Sequence, residues 1–284
     1  MIYVSSACSK QKKIGAAIRE LAVHGFQNIE LSGGTEYYED YEADIFNLKE
    51  KFSLNYLIHN YFPPPEDDFV LNLSSLNDSI YEKSISHLRK SIRLADQLGA
   101  KKYGLHAGFY VDIGIKEIGK AITLTMPKDI DASYERFCRG FNEINEESKE
   151  VEIYIENNVY SRTNFKIYGY QIPFMLVSAL DYEELKKHIS VNLLLDIAHL
   201  YVSSQTLNLD FESQFDLMII ETDYVHLSDN DGSHDQNRGF GSGGKLLDKI
   251  EKRHLSNKTI TLEVYTGIAN LRTSFDCLAA IIHD

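Results

Sequence analysis

The stretch Leu193-Leu194-Leu195-Asp196-Ile197-Ala198-His199 sets three aliphatic residues against a carboxylate and, three positions later, an imidazole. A short, continuously apolar run is the pattern of a strand buried on both faces, as in a parallel sheet. The same design recurs along the chain. Ile2-Tyr3-Val4, Asn28-Ile29-Glu30-Leu31, Tyr56-Leu57-Ile58-His59, Tyr103-Gly104-Leu105-His106, Ile153-Tyr154-Ile155-Glu156, Tyr224-Val225-His226-Leu227 and Ile260-Thr261-Leu262-Glu263 bring the number of such runs to eight.

Helical stripes lie between the runs. From Ile14 to His24, apolar residues fall at Ile14, Ala17, Ile18, Leu21 and Ala22, a period near 3.6. From Ile80 to Leu98 the stripe runs through Ile85, Leu88, Ile92, Ala95 and Leu98 and stops before Gly99. Tyr134–Ser148, Phe211–Ile220, Leu246–Arg253 and Ile268–Ile282 also read as helices. Alternation of this kind implies a parallel sheet with right-handed crossovers. Eight units of about 35 residues each in a chain of 284 predict an α/β fold, a single (β/α)8 TIM barrel occupying 1–284 as one domain. The alternative is a doubly wound open sheet. It usually needs fewer strands, and no GxGxxG follows the first run. Two connections, Phe109–Asp131 and Asn158–Pro173, are long enough to suggest function.

Composition narrows the field. Hydrophobic residues are 43% and charged residues 25% of the chain, which permits a full core. Against 42 Asp plus Glu stand 29 Lys plus Arg, a net charge of -13. That balance disfavours nucleic acid as a partner, because phosphate binding draws on Lys and Arg. Cys8, Cys138 and Cys277 form no CxxC pair, which fits a reducing compartment. The first residues lack the apolar run of a signal peptide, and no stretch approaches the roughly 20 apolar residues of a membrane span. A cytoplasmic protein with no membrane partner is expected, with room for a homo-oligomer.

Seven runs carry a polar residue at or near their carboxyl end: Glu30, His59, His106, Glu156, Asp196, His226 and Glu263, with His199 just beyond. A single strand-end His or Asp is usually a loop cap. Repetition at nearly every strand alters that, because a barrel gathers these ends at one mouth. Four carboxylates and several imidazoles buried together repel and desolvate one another unless a cation joins them. Mixed His and carboxylate donors suit zinc or manganese better than calcium, with magnesium or cobalt as further options.

At these residues the chain resembles the xylose isomerase-like TIM-barrel superfamily, which groups sugar isomerases and epimerases with family-2 AP endonucleases. The matching segments are Ile29-Glu30-Leu31, Leu57-Ile58-His59-Asn60, Gly104-Leu105-His106-Ala107-Gly108, Tyr154-Ile155-Glu156-Asn157, Leu195-Asp196-Ile197-Ala198-His199, Val225-His226-Leu227-Ser228-Asp229-Asn230 and Thr261-Leu262-Glu263. The resemblance implies one divalent ion on Glu156, Asp196, His226 and Glu263. It gives Glu156 and Glu263 a second role in exchanging protons with a sugar or sugar phosphate through a metal-stabilised enediolate. His199, His59, His106, Glu30 and Asn60 would line the mouth and bind substrate. A second ion could sit on His59 and His106 with Glu156 or Asp235. The endonuclease branch implies three zinc ions, yet its Asp-x-His reads Asp235-Gln236-Asn237 here, and an amide is a poor zinc ligand. The favoured function is a metal-dependent sugar isomerase or epimerase. A zinc phosphodiesterase of the AP-endonuclease type and a non-catalytic sugar- or metal-binding barrel are the alternatives.

Weaker signals remain. His59-Asn60-Tyr61-Phe62-Pro63-Pro64-Pro65 reads either as a rigid aromatic and proline wall beside the substrate or as a stiff surface loop. Gly241-Ser242-Gly243-Gly244 could cradle a phosphate, although a tight turn is the plainer reading. Arg162, Lys166 and Arg238 read as surface charge, and His24, His87, His188, His254 and His283 as structural or solvent-facing.

Overall fold

In the computed structural model each apolar run forms a strand: β1 (Ile2–Ser5), β2 (Asn28–Leu31), β3 (Asn55–His59), β4 (Lys102–His106), β5 (Glu152–Glu156), β6 (Asn192–Asp196), β7 (Tyr224–Leu227) and β8 (Thr259–Leu262). All neighbours pair parallel in sequence order, and β8 returns to β1, so the sheet is a closed barrel rather than an open one. The structure describes residues 1–118, 120–127, 129–241, 246–250 and 252–283, without the side chains of Lys252, Arg253 and His283. The glycine-rich segment read above falls mostly outside these residues.

The helices are α1 (Ile14–Val23), α2 (Tyr41–Phe52), α3 (Asp78–Leu98), α4 (Ile130–Glu147), α5 (Arg162–Tyr168), α6 (Ala179–Leu185), α7 (Ile197–Leu207), α8 (Phe211–Ile219), α9 (Lys252–Leu255) and α10 (Ile268–His283). Helix α3 ends as its sequence predicts. Gly99 adopts φ +71°, and its N–H bonds back to the Ala95 and Asp96 carbonyls. The helix expected over Leu246–Arg253 is instead a 3₁₀ turn, Leu247–Lys249, and the short α9. The long connection Asn158–Pro173 is not structureless: Ser161 caps α5 within it by accepting from the Asn164 N–H.

Side chains on a strand alternate between faces. The residues two positions before the strand-end set therefore fill the barrel one layer lower. Tyr3, Leu57, Tyr154, Leu194 and Tyr224 form one buried cluster there. Gly104 belongs to the same level and leaves the space that His59 uses: a Cβ on it would lie 2.9 Å from His59 Cδ2 and 2.6 Å from Leu194 Cδ2. The amino end of the barrel is stoppered by Lys102. Its ammonium stacks 4.3 Å from the centre of the Tyr154 ring and bonds Asp223 at 2.6 Å. Among the described residues no helix is long and apolar enough to cross a membrane.

Candidate metal centre

Strand register brings the expected residues together. His106 lies opposite Glu156 across β4 and β5, and Asp196 opposite His226 across β6 and β7. Glu156, Asp196, His226 and Glu263 each offer one donor atom, and these four atoms lie within 4.8 Å of one another. Glu156 is the hub. Its Oε2 lies 2.6 Å from His59 Nε2 and 3.2 Å from His106 Nδ1, and its Oε1 lies 3.4 Å from His226 Nδ1. A second group, His106, Glu156 and His199, shares it, as does a third, His59, Glu156 and His226.

The donor set fits a cation. Glu156 Oε1 and His226 Nδ1 are buried and make no hydrogen bond, although protein interiors rarely leave such atoms unsatisfied. Burial opposes ionisation of Glu156, yet His106, His59 and His226 hold its carboxyl well below the usual range. Burial, opposed by His199 and reinforced by Glu156, pushes Asp196 up to about 7. Carboxylates crowded this closely are relieved by a divalent ion between them.

Supporting contacts fix the ligands. Asp196 ends β6 and caps α7, its Oδ1 accepting from the His199 N–H at 2.7 Å. The His199 ring is held by Nδ1 at 2.9 Å from the Asn157 carbonyl, with Nε2 3.4 Å from Asp235 Oδ2. Tyr265 donates to Glu263 Oε1 at 3.0 Å. Asn157 and Tyr265 were not singled out by sequence reasoning. Their signal is adjacency: each lies within two residues of a strand-end carboxylate.

Other expectations resolve unevenly. His59, His106, His199, Asn60, Asp235 and Glu263 line a cavity of about 1230 Å³ at the mouth, with Tyr61 and Pro65 in its wall. Glu30 does not. It is fully buried below the mouth, where Tyr224, Thr261 and His226 take up its carboxylate. The proposed trio His59, His106 and Asp235 is not assembled, because Asp235 sits beside His199 on the far loop. Among the described residues no metal-competent group includes Asp235. Nor does His234 replace the missing imidazole at 237. Its Nε2 pairs with Thr163 Oγ1 of α5 at 2.8 Å.

The profile of the xylose isomerase-like TIM barrel matches residues 12–281. The chain belongs to that family. Among solved structures, this xylose isomerase-like barrel is similar to a D-tagatose 3-epimerase-like protein, with TM-score 0.73, 18% identity and coverage of 99% of this chain and 97% of that one. It is also similar to endonuclease IV from Thermus thermophilus, with TM-score 0.63, 16% identity and coverage of 99% and 98%. At such identities the likeness is one of fold. A curated relative, a probable endonuclease 4 of Thermotoga petrophila, is 28% identical over 89 residues, 31% of this chain and 26% of the relative. The chain thus spans about a quarter of the length of the curated relatives it matches.

Proposed function

We propose that this xylose isomerase-like barrel is a divalent-metal-dependent isomerase or epimerase of a small sugar. The observation carrying the reading is the convergence of donor atoms from Glu156, Asp196, His226 and Glu263 on one point, with Glu263 also lining the cavity. A divalent ion bound there would supply Lewis acidity toward a substrate carbonyl and its neighbouring hydroxyl. Manganese or zinc suits the mixed donors.

The chain's own groups then divide the work. Glu263 lines the cavity, so it is the better placed of the two carboxylates to take a proton and hand it on along one face of a sugar, as an isomerase does; inversion by an epimerase would need a second acid on the opposite face. Glu156 is fully buried beneath His59 and His106, which suits a ligand and electrostatic anchor more than a proton carrier. His199, fixed through Nδ1, lines the cavity with Nε2 facing Asp235, a pair that could meet a substrate oxygen. Asn60 lines the wall with Oδ1 free of any hydrogen bond.

The mouth favours an uncharged carbohydrate. Glu36, Glu66, Asp67, Asp68 and Glu117 line it against Lys120, and no arginine is among the described lining residues. Such a rim repels phosphates. Two T-shaped aromatic pairs, Tyr61–Phe69 and Phe109–Phe174, offer apolar faces for a sugar ring. The deciding experiment incubates manganese- or zinc-loaded protein with a panel of ketoses and aldoses in D2O. Deuterium incorporation next to the carbonyl is the expected result, and its absence across the panel would overturn the assignment.

One observation favours a second reading, a zinc phosphodiesterase. Glu156 belongs to three ligand groups, the four-ligand set, His106–Glu156–His199 and His59–Glu156–His226, so its carboxylate could serve more than one ion. Nicking of abasic-site duplex by zinc-loaded protein, with no exchange in sugars, would establish it instead.

A further inference from the structure

Glu30 has no part in the chemistry above, yet its carboxylate is fully buried beside the centre. An ionised carboxylate with no solvent contact is costly unless every lone pair finds a donor. Glu30 finds them. Oε2 accepts from the Tyr224 hydroxyl and from Thr261 Oγ1 at 2.8 Å, and Oε1 faces Ser32 Oγ at 3.4 Å. The remaining partner is Nε2 of His226, 3.1 Å from Oε1 and 3.2 Å from Oε2.

The other nitrogen of the same ring points the opposite way. His226 Nδ1 lies 3.4 Å from Glu156 Oε1 and 3.6 Å from Glu263 Oε2 and makes no hydrogen bond. A neutral imidazole has one N–H and one lone pair, and the partner of the first decides where the second points. Ligating histidines depend on such a partner for orientation and donor strength. Glu30 also comes within ligand distance of His59 and Glu263. It is poorly placed as a ligand itself, since its oxygens already have donors and His59 Nε2 is committed to Glu156 at 2.6 Å.

We propose that Glu30 is a positioning residue: its carboxylate accepts a hydrogen bond from the Nε2–H of His226 and so leaves the Nδ1 lone pair of that ring facing the point shared by Glu156, Asp196 and Glu263, where an ion would bind. The role rests on the metal-site reading above. It gives His226 one ligating nitrogen, Nδ1, and explains why a charge is kept where a substrate never reaches.

The test uses the full-length protein, titrated with zinc chloride and manganese chloride by calorimetry, as wild type and as Glu30→Gln. The amide keeps an oxygen for the Nε2 proton and fills the same space, but the charge is gone. The expected loss in ion affinity is about 10- to 100-fold, the usual effect of removing such a partner. Histidine ¹⁵N spectra of the zinc-loaded wild type should show His226 bound through Nδ1 with Nε2 protonated. In Glu30→Gln the Nε2 proton should lose the downfield shift that a carboxylate partner confers. Equal affinity in the two proteins, or ligation through Nε2, overturns the role of Glu30 while leaving the metal site standing. A wild type that binds neither ion overturns both. If Glu30→Gln does not fold, the ligating nitrogen in wild type decides alone.

Discussion

The side-chain amide of Asn157 clasps the backbone of Asp196 in both directions, its Nδ2 donating to the Asp196 carbonyl at 3.0 Å and its Oδ1 accepting from the Asp196 N–H at 2.8 Å. Thus β5 places Asp196 as firmly as β6 does. Replacing Asn157 with Ala strands two buried backbone groups, each costing about 1–3 kcal/mol. The Asn157→Ala protein should lose about 2–6 kcal/mol in urea unfolding, and its zinc affinity should fall with it. A variant as stable as wild type would show that the clasp is dispensable.

Removing the acid from the cavity wall tests the division of labour between the carboxylates. In Glu263→Gln, proton exchange in D2O should fall by about a thousandfold, within the range typical of a lost general acid or base. Full activity in this variant would transfer the proton-moving role elsewhere, with Glu156 next in line.

The acidic rim predicts selection against charge. For a matched pair, a sugar and its phosphate ester, kcat/KM should favour the free sugar by about tenfold or more at low ionic strength. The gap should narrow at about 0.5 M salt as the field is screened. A preference for the phosphate ester would contradict the reading of the mouth.

Ion removal should be visible in stability. A ligand that binds only the folded state adds about 2.7 kcal/mol at a hundredfold excess over its Kd. Treatment with a chelator should therefore lower the Tm by several degrees, and zinc or manganese should restore it, whereas calcium should not.

Acid sensitivity should trace in part to His87, which lies on α3 away from the centre. Its ring packs edge-on to Phe69 at 5.6 Å, and burial, only partly offset by the Asn60 backbone, lowers it to about 4 from 6.5. The folded state therefore keeps His87 neutral while the unfolded chain takes up a proton. Its contribution is complete above pH 6.5 and is lost as pH falls toward 4, by about 2 kcal/mol at pH 5. The difference between wild type and His87→Leu in urea unfolding at pH 7.5 and 5 measures it. Equal slopes with pH would rule it out.

Much of the site was readable from the chain because strand ends converge in a barrel. Glu156, Asp196, His226 and Glu263 are separated by 30 to 40 residues each, yet the apolar run before each one marked it as a strand end. Depth was harder to read. Glu30 sits near the end of a run like the others, but how far a residue lies below the rim depends on strand stagger, which no single run encodes. Tyr224 and Thr261 stand inside apolar runs, and only the closed sheet brings their hydroxyls to Glu30. Helix α7 escaped notice because it begins at the residue after Asp196, with no loop to announce it. Helix α2 escaped because it buries only Tyr41, Ile45 and Leu48 within a charged segment.

The stopper formed by Lys102 and the tyrosines below the site has a consequence for traffic. With that end closed, the mouth is the one route to Glu156 and Asp196 among the described residues. If the proposed sugar stood in that doorway it would seal in an ion beneath it, so protein saturated with such a ligand should resist a chelator that strips the empty protein.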